Sequence, residues 1–223
     1  LDEIGKGLYE GARLAKITIP AGEIAQVREM LKGVRDNYGF DLVGTGIGIV
    51  SPDKKIVGQD ISEGDVVLGL RSNGIHSNGL SLAREVLFSK RGFGVDKYVE
   101  DLGKTIGEEL LEPTRIYVSE IMDILKSGLS VKALIHITGD GFLNLTRVKS
   151  EVGYIIESLP EPHPIFSLIQ RFGEIKDEDM YQVYNMGIGF CLIVSDKDVG
   201  KALDIFKKHD VDCQKIGYTV QDR

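Results

Sequence analysis

Residues 64–79, GDVVLGLRSNGIHSNG, decide how the rest of the chain is read. Asp65 to Leu70 is a short apolar run rich in Val and Leu, the pattern of a buried strand. Arg71-Ser72-Asn73-Gly74 is a cluster of turn formers, and His76-Ser77-Asn78-Gly79 follows it. Past Gly79, the residues Leu80, Leu82, Ala83, Val86 and Leu87 recur at helical spacing. A strand thus feeds a glycine-bounded loop, and the loop opens a helix. Unpaired backbone N–H groups at a helix start favour an anion there. A histidine in such a loop can donate a proton or a hydrogen bond to what the loop binds.

The theme returns downstream. Val131 to Ile137 reads as a second buried strand, ending in His136-Ile137-Thr138-Gly139-Asp140-Gly141, and Leu143, Leu145 and Val148 continue as a helix. His136, at a strand end before a glycine loop, is the second candidate site residue. Asp140, between two glycines, either caps the following helix, the favoured reading, or contributes a charge to the site. Glu23, after Gly22 at the end of the expected strand Ile17–Pro20, either faces a Mg²⁺-phosphate cluster or serves as a helix N-terminal charge. His163, between two prolines, and His209, in a charged helix, read as solvent-exposed. The chain has neither a Walker loop nor a GxGxxG fingerprint. The glycines of Gly44-Thr45-Gly46-Ile47-Gly48 lie inside a strand pattern, Asp41 to Val50, and are discounted as a nucleotide loop.

Elsewhere the pattern is ordinary. A helix opens the chain with Ile4, Leu8, Ala12 and Ala15 on one face. It also carries Gly5, Gly7 and Gly11, each costing about 1 kcal/mol relative to alanine and tolerable where another backbone packs closely. Gly33 to Gly39 is rich in turn formers, and Ser51 to Lys55 is a polar turn and candidate domain boundary. Gly92 to Gly103 reads as irregular. Pro113 suits the first turn of a helix carrying Ile116, Tyr117, Ile121, Ile124 and Leu125. Further helices are expected over Ile165–Phe172, Asp177–Tyr184 and Asp198–Lys208. Strands are expected at Tyr154–Ile156, Ile188–Val194 and Lys215–Val220.

With 223 residues the chain makes one large or two modest domains. A net charge of −7 with no basic stripe argues against a nucleic-acid partner. No apolar run is long enough to span a bilayer, and Cys191 and Cys213 lack metal-like spacing, which indicates a reducing, cytoplasmic setting. The chain opens at Leu1, inside the expected helix, so an upstream portion is expected to be missing.

The segments GDVVLGLRSNGIHSNGLSLAR, LLEPTRIYV, VKALIHITGDG and MYQVYNMGIGF occur in this order and together resemble the phosphoribosylformylglycinamidine cyclo-ligase (aminoimidazole ribonucleotide synthetase) family, in its archaeal form. AGEIAQV and FDLVGTGIGIV are similar to that family's GGETAE segment and the strand after it. The resemblance implies an α/β (α+β) fold with a mixed sheet packed by helices. Residues 1–50 would be the remainder of an N-terminal ATP-binding and dimerisation domain, and residues 58–223 the C-terminal domain. It implies ATP-dependent closure of the imidazole ring on formylglycinamidine ribonucleotide, with ATP and Mg²⁺ as cofactors and a homodimer when full length. It further implies catalytic roles for His76 and His136 and substrate contacts from Ser77, Asn78, Gly79, Thr138, Gly139 and Gly141. Glu23 would serve the nucleotide. This chain alone is expected to be inactive. Three departures stand out: HITGGG reads HITGDG, placing Asp140 where glycine is usual; GGETA reads AGEIA, removing a hydroxyl at Ile24; and Tyr184 stands where phenylalanine is common. The alternatives are another ATP-using member of the superfamily, of selenophosphate synthetase or thiamine-monophosphate kinase type, or a non-catalytic binding module that keeps the fold.

Overall fold

The computed structural model describes residues 1–27, 30–33 and 39–221. The chain divides into two compact units, Leu1–Lys55 and Ile56–Arg223.

In the first unit, α1 spans Asp2–Ala15 and ends on Lys16 in the left-handed conformation, whose N–H returns to the Ala12 and Arg13 carbonyls. Ile4, Gly11, Ala12 and Ala15 are its less exposed positions, whereas Leu8, expected on the same face, is 49% exposed. Among the described residues no atom comes within 4 Å of a Cβ built on Gly5, Gly7 or Gly11, so close packing does not account for these glycines here. The two expected strands, Ile17–Pro20 and Asp41–Val50, are not strands. A strand needs a neighbour for its N–H and C=O groups, and neither segment pairs with one among the described residues. The apolar side chains that alternate there stand in solvent, Val43 at 95% and Ile47 at 93% exposure. Most of the turn-rich stretch Gly33–Gly39 lies outside the described residues.

The second unit is built on a five-stranded sheet. Its strands are β1 (Val66–Arg71), β4 (Val131–His136), β5 (Val152–Ile156), β6 (Ile188–Val194) and β7 (Cys213–Gln221), in the order β4-β6-β1-β7-β5. The sheet is antiparallel in all four pairings rather than mixed as expected. β1 is its centre, which explains the unbroken apolar run: both faces of this strand are covered. Val66, Leu68 and Leu70 pack on one face with Ile121 and Ile124 of α4 (Val118–Lys126) and Ala202 and Phe206 of α7 (Val199–Lys208). Val67 packs on the other with Cys191, Ile193, Ile216 and Leu145. A third cluster joins α2 (Leu80–Arg84), α5 (Pro164–Gly173) and α6 (Asp177–Val183) around Phe166, Ile169, Met180 and Tyr184.

Three local expectations are corrected. Gly92–Gly103 carries part of a small hairpin, with β2 (Tyr98–Val99) pairing β3 (Lys104–Thr105). β3 leads into α3 (Ile106–Leu110), which is held by a Thr105/Glu108 capping box. The helix expected from Pro113 begins only at Val118, because the Pro113 carbonyl accepts from Asn73 of a neighbouring loop instead of along a helix. Residues Gly141–Arg147 form a tight 3₁₀ segment rather than an α-helix. α2 is short and continues without a break as a π-helical turn over Glu85–Lys90. Among the described residues no helix is long and apolar enough to cross a membrane.

Candidate active site

The loop after β1 starts at a β-bulge between Leu70 and Arg71 in the pairing with β6; bulges re-aim the chain at strand ends beside functional sites. Asn185 latches this loop. Its Oδ1 accepts from Ser72 Oγ and Gly187 N, both at 2.9 Å, and its Nδ2 donates to the carbonyls of Gly74 at 2.9 Å and Ile75 at 3.1 Å. His163 Nε2 reaches the Ser72 carbonyl at 2.9 Å and is half-buried, not solvent-exposed as expected. His209, also half-buried, pairs with Asp123 at 2.9 Å. Gly79 has φ 75°, a conformation glycine adopts freely, and its carbonyl accepts from Tyr184 Oη at 3.1 Å.

A second loop, Pro113–Tyr117, braces the first. Asn73 Nδ2 donates to the Pro113 carbonyl at 2.8 Å, Ser77 Oγ and Thr114 Oγ1 lie 2.9 Å apart, and Tyr117 Oη donates to the Arg71 carbonyl at 2.9 Å. The third loop, after β4, is pinned from inside by buried Asn144. Its Oδ1 accepts from Thr138 N at 2.8 Å and Thr138 Oγ1 at 3.0 Å, and its Nδ2 donates to the Gly139 carbonyl at 2.9 Å.

These loops bring the two candidate histidines together. The rings of His76 and His136 lie 6.4 Å apart, with Tyr117 6.4 Å from the first and 6.1 Å from the second. Asn78 meets the third loop, its Oδ1 being 3.6 Å from a Cβ built on Gly139. The cluster seats against Gly189 of β6, where any Cβ would invade the Tyr117 hydroxyl and stand 2.6 Å from His76 Cε1.

The two imidazoles differ in access. His76 is 5% exposed and holds a positive φ of 62°. Burial, and then the nearby His136, His163 and Arg115, lower its pKa to about 4, so it is neutral at pH 7. His136 is exposed, with its pKa lowered by partial burial, and is neutral there too. Burial raises the Tyr117 pKa, keeping its hydroxyl a donor. His136 also lines a cavity of about 430 Å³ with Val57, Gly58, Asn144, Arg147 and Lys149; His76 does not.

Of the other expected site residues, Ser77 is exposed and Asn78 half-exposed, whereas the Thr138 hydroxyl is spent on Asn144. Gly141 is buried at φ 51°, pressed against the Tyr181 carbonyl, and serves the turn. Asp140 makes no side-chain cap; its carboxylate pairs with Arg147 at the surface, which answers the charge this departure adds. Glu23 is exposed in the first unit. The sequence pattern does not mark Asn73, Tyr117 or Asn144 as site residues, and it marks Gly189 only for backbone geometry. Only the tight spacing of Asn73 to His76 could have flagged any of them.

Residues 62–223 match the family described as AIR synthase related protein, C-terminal domain. The chain belongs to this family. It is 47% identical over 220 residues to the phosphoribosylformylglycinamidine cyclo-ligase of Methanocaldococcus jannaschii, covering 98% of this chain and 61% of that protein. To the protein of the same name from Methanobrevibacter smithii it is 45% identical over 221 residues, covering 99% of this chain and 63% of that one. The chain therefore spans about six-tenths of the length of these curated relatives. Among solved structures it is similar to thiamine-monophosphate kinase from Stenotrophomonas maltophilia K279a at 14% identity and TM-score 0.49, covering 77% of this chain and 52% of that one.

Proposed function

We propose that the chain is the larger part of an ATP-dependent phosphoribosylformylglycinamidine cyclo-ligase, with residues 58–223 its C-terminal domain and residues 1–50 the remainder of an N-terminal, nucleotide-binding and dimerising domain. The observation that carries this reading is the identity of 45–47% to relatives of that name across nearly the whole chain. The convergence of His76 and His136 supports it.

In this reaction the terminal phosphoryl group of ATP passes to the formyl oxygen of formylglycinamidine ribonucleotide. An amidine nitrogen of the same molecule then attacks that carbon, closing the ring and expelling phosphate. The attacking nitrogen must shed a proton, and a neutral imidazole is suited to take it. His136 has the access, since it is exposed, uncharged and on the cavity wall. His76 backs it from the buried side, and Ser77 and Asn78 offer donors from the facing loop. Thr138, Gly139 and Gly141 hold the wall on which His136 stands. The remaining steps belong to positioning more than covalent chemistry. Among the described residues no group of three or more His, Cys, Asp or Glu could hold a metal ion. Mg²⁺ held through substrate phosphates needs only one or two protein carboxylates, and no step here is routed through it.

The test is ring closure by the full-length protein, followed as aminoimidazole formation and ADP release. His136→Ala should lower kcat by about 10² or more if it is the proton acceptor. ADP release with no aminoimidazole product would point to another ATP-using member of the superfamily. No ADP release under any substrate would point to a binding module.

A further inference from the structure

His76 carries a polar atom with nothing to answer it: Nδ1 is buried and has no hydrogen-bond partner among the described residues. Its other nitrogen, Nε2, lies 2.8 Å from Asn73 Oδ1. Which nitrogen holds the proton follows from Asn73. The Asn73 amide nitrogen donates to the Pro113 carbonyl at 2.8 Å, and a carbonyl can only accept. Oδ1 therefore faces His76, and because Oδ1 also only accepts, Nε2 carries the hydrogen. The backbone N–H groups of Asn73 and Arg115 also point at Nε2, both at 3.4 Å. With the hydrogen on Nε2 neither is a hydrogen bond, and at 3.4 Å each would be a weak one at best, so the 2.8 Å contact decides. Turning the amide over to suit them would bring two carbonyl oxygens 2.8 Å apart.

We propose that Asn73 is a positioning residue that holds His76 as the neutral Nε2–H tautomer, leaving His136 as the one imidazole of the pair free to take up a proton. The choice of amide over carboxylate matters here. An aspartate at the same place would stabilise an imidazolium, and a charged His76 would oppose protonation of His136, 6.4 Å away. The groups that surround the His76 ring are consistent with neutrality: His136, His163, Arg115 and the Tyr117 ring. The Glu109 carboxylate and the Glu112 stem lie near Gly74, and both carboxylates are engaged by Lys104, at 3.5 and 3.3 Å. The tautomer assignment stands on these contacts alone; its consequence for proton transfer rests on the ring-closing reading above.

Nitrogen-15 NMR of the imidazoles in this chain tests it without any turnover. The expected spectrum shows His76 as a single Nε2–H tautomer at pH 7. Asn73→Ala should give a mixture of tautomers. Asn73→Asp should keep the proton on Nε2 and raise the His76 titration midpoint by about 1–3 pH units. A spacer role for Asn73 would leave the tautomer untouched in both variants. An Nδ1–H tautomer in the parent, an unchanged tautomer in Asn73→Ala, or a parent-like midpoint in Asn73→Asp overturns the proposal. If Asn73→Ala does not fold, the parent spectrum and Asn73→Asp still decide. Failure of the ring-closure assay would leave these spectra unaffected, so the two readings fail separately.

Discussion

Replacing Gly189 with alanine adds one methyl group at the most crowded point of the site. The residue lies within β6 with no positive φ, so its backbone accepts alanine, and removing glycine from a strand interior should by itself gain about 0.5–1 kcal/mol. The methyl would collide with the Tyr117 hydroxyl and lie 2.6 Å from His76 Cε1, and neither ring is at the end of a flexible stem. Overpacking of this kind costs about 1–3 kcal/mol. Displacing Tyr117 also forfeits its hydrogen bond to the Arg71 carbonyl, at about 1 kcal/mol. The collision wins, and the net loss is roughly 1–3 kcal/mol, which lowers Tm by about 2–12 °C for a chain of this size. Thermal unfolding by circular dichroism measures it. Tyr117→Phe in the same background removes the atom the methyl strikes and should return part of the loss. A Gly189→Ala protein as stable as the parent would refute the reasoning, and so would a double variant that recovers nothing.

The buried pair of Lys132 with Asp65, 2.6 Å apart, gives a second expectation. Lys132→Met strands a buried carboxylate and should cost about 3–5 kcal/mol in urea unfolding, with Asp65→Asn in the same chain restoring most of it. Asn185→Asp keeps the oxygen that Ser72 and Gly187 use but sets a buried carboxylate oxygen against the Gly74 and Ile75 carbonyls; about 3–5 kcal/mol should disappear from the same unfolding curve. Asp140→Gly should be neutral within about 1 kcal/mol, since its pair with Arg147 is exposed and its φ of 75° suits glycine better. A large loss there would mean the pair does more than its exposure allows. His76 should make the protein acid-sensitive. The unfolded imidazole binds its proton near pH 6.5 and the folded one only at about 4. Between these values the unfolded state holds more protons, so stability falls as pH drops through that window and is flat outside it. The full effect is roughly 3 kcal/mol, and His76→Gln should remove that slope from the stability–pH curve.

What the sequence made legible follows from local signals. β1 and β4 could be read because a run of β-branched and leucine residues bounded by turn formers has few other solutions, and α5 and α7 because apolar residues recur at helical spacing. The helix expected from Pro113 was misplaced because its carbonyl is used by Asn73, a residue 40 positions away, and no local pattern records that bond. Asn144 and Tyr117 escaped notice for the same reason, as their partners are backbone groups chosen by tertiary contact. Asp140 looked like a helix cap because the residues after it have helical spacing, but they close into a 3₁₀ segment and its carboxylate turns to Arg147. In the first unit the strand-like alternation is real, yet alternation alone supplies no ladder partner.

Topology explains why two similar strand-loop motifs end with different histidines. β1 is the central strand, flanked by β6 and β7, so the loop it launches is overlaid by the Pro113–Tyr117 segment and by Asn185, and His76 is buried. β4 is an edge strand, paired only with β6, so the residue at its end has one open side. His136 uses that side to face the cavity while its ring stacks 6.0 Å from Phe190 of its neighbour strand. The inner imidazole is thereby fixed by hydrogen bonds and kept neutral, and the outer one is free to meet a ligand. Exchanging the roles would require burying an edge or exposing a centre, which this strand order does not permit. Chemistry that engages only one histidine should therefore engage His136. A covalent histidine reagent such as diethylpyrocarbonate should modify His136 well before His76 in the folded chain, and mass mapping that found His76 modified first would contradict this division.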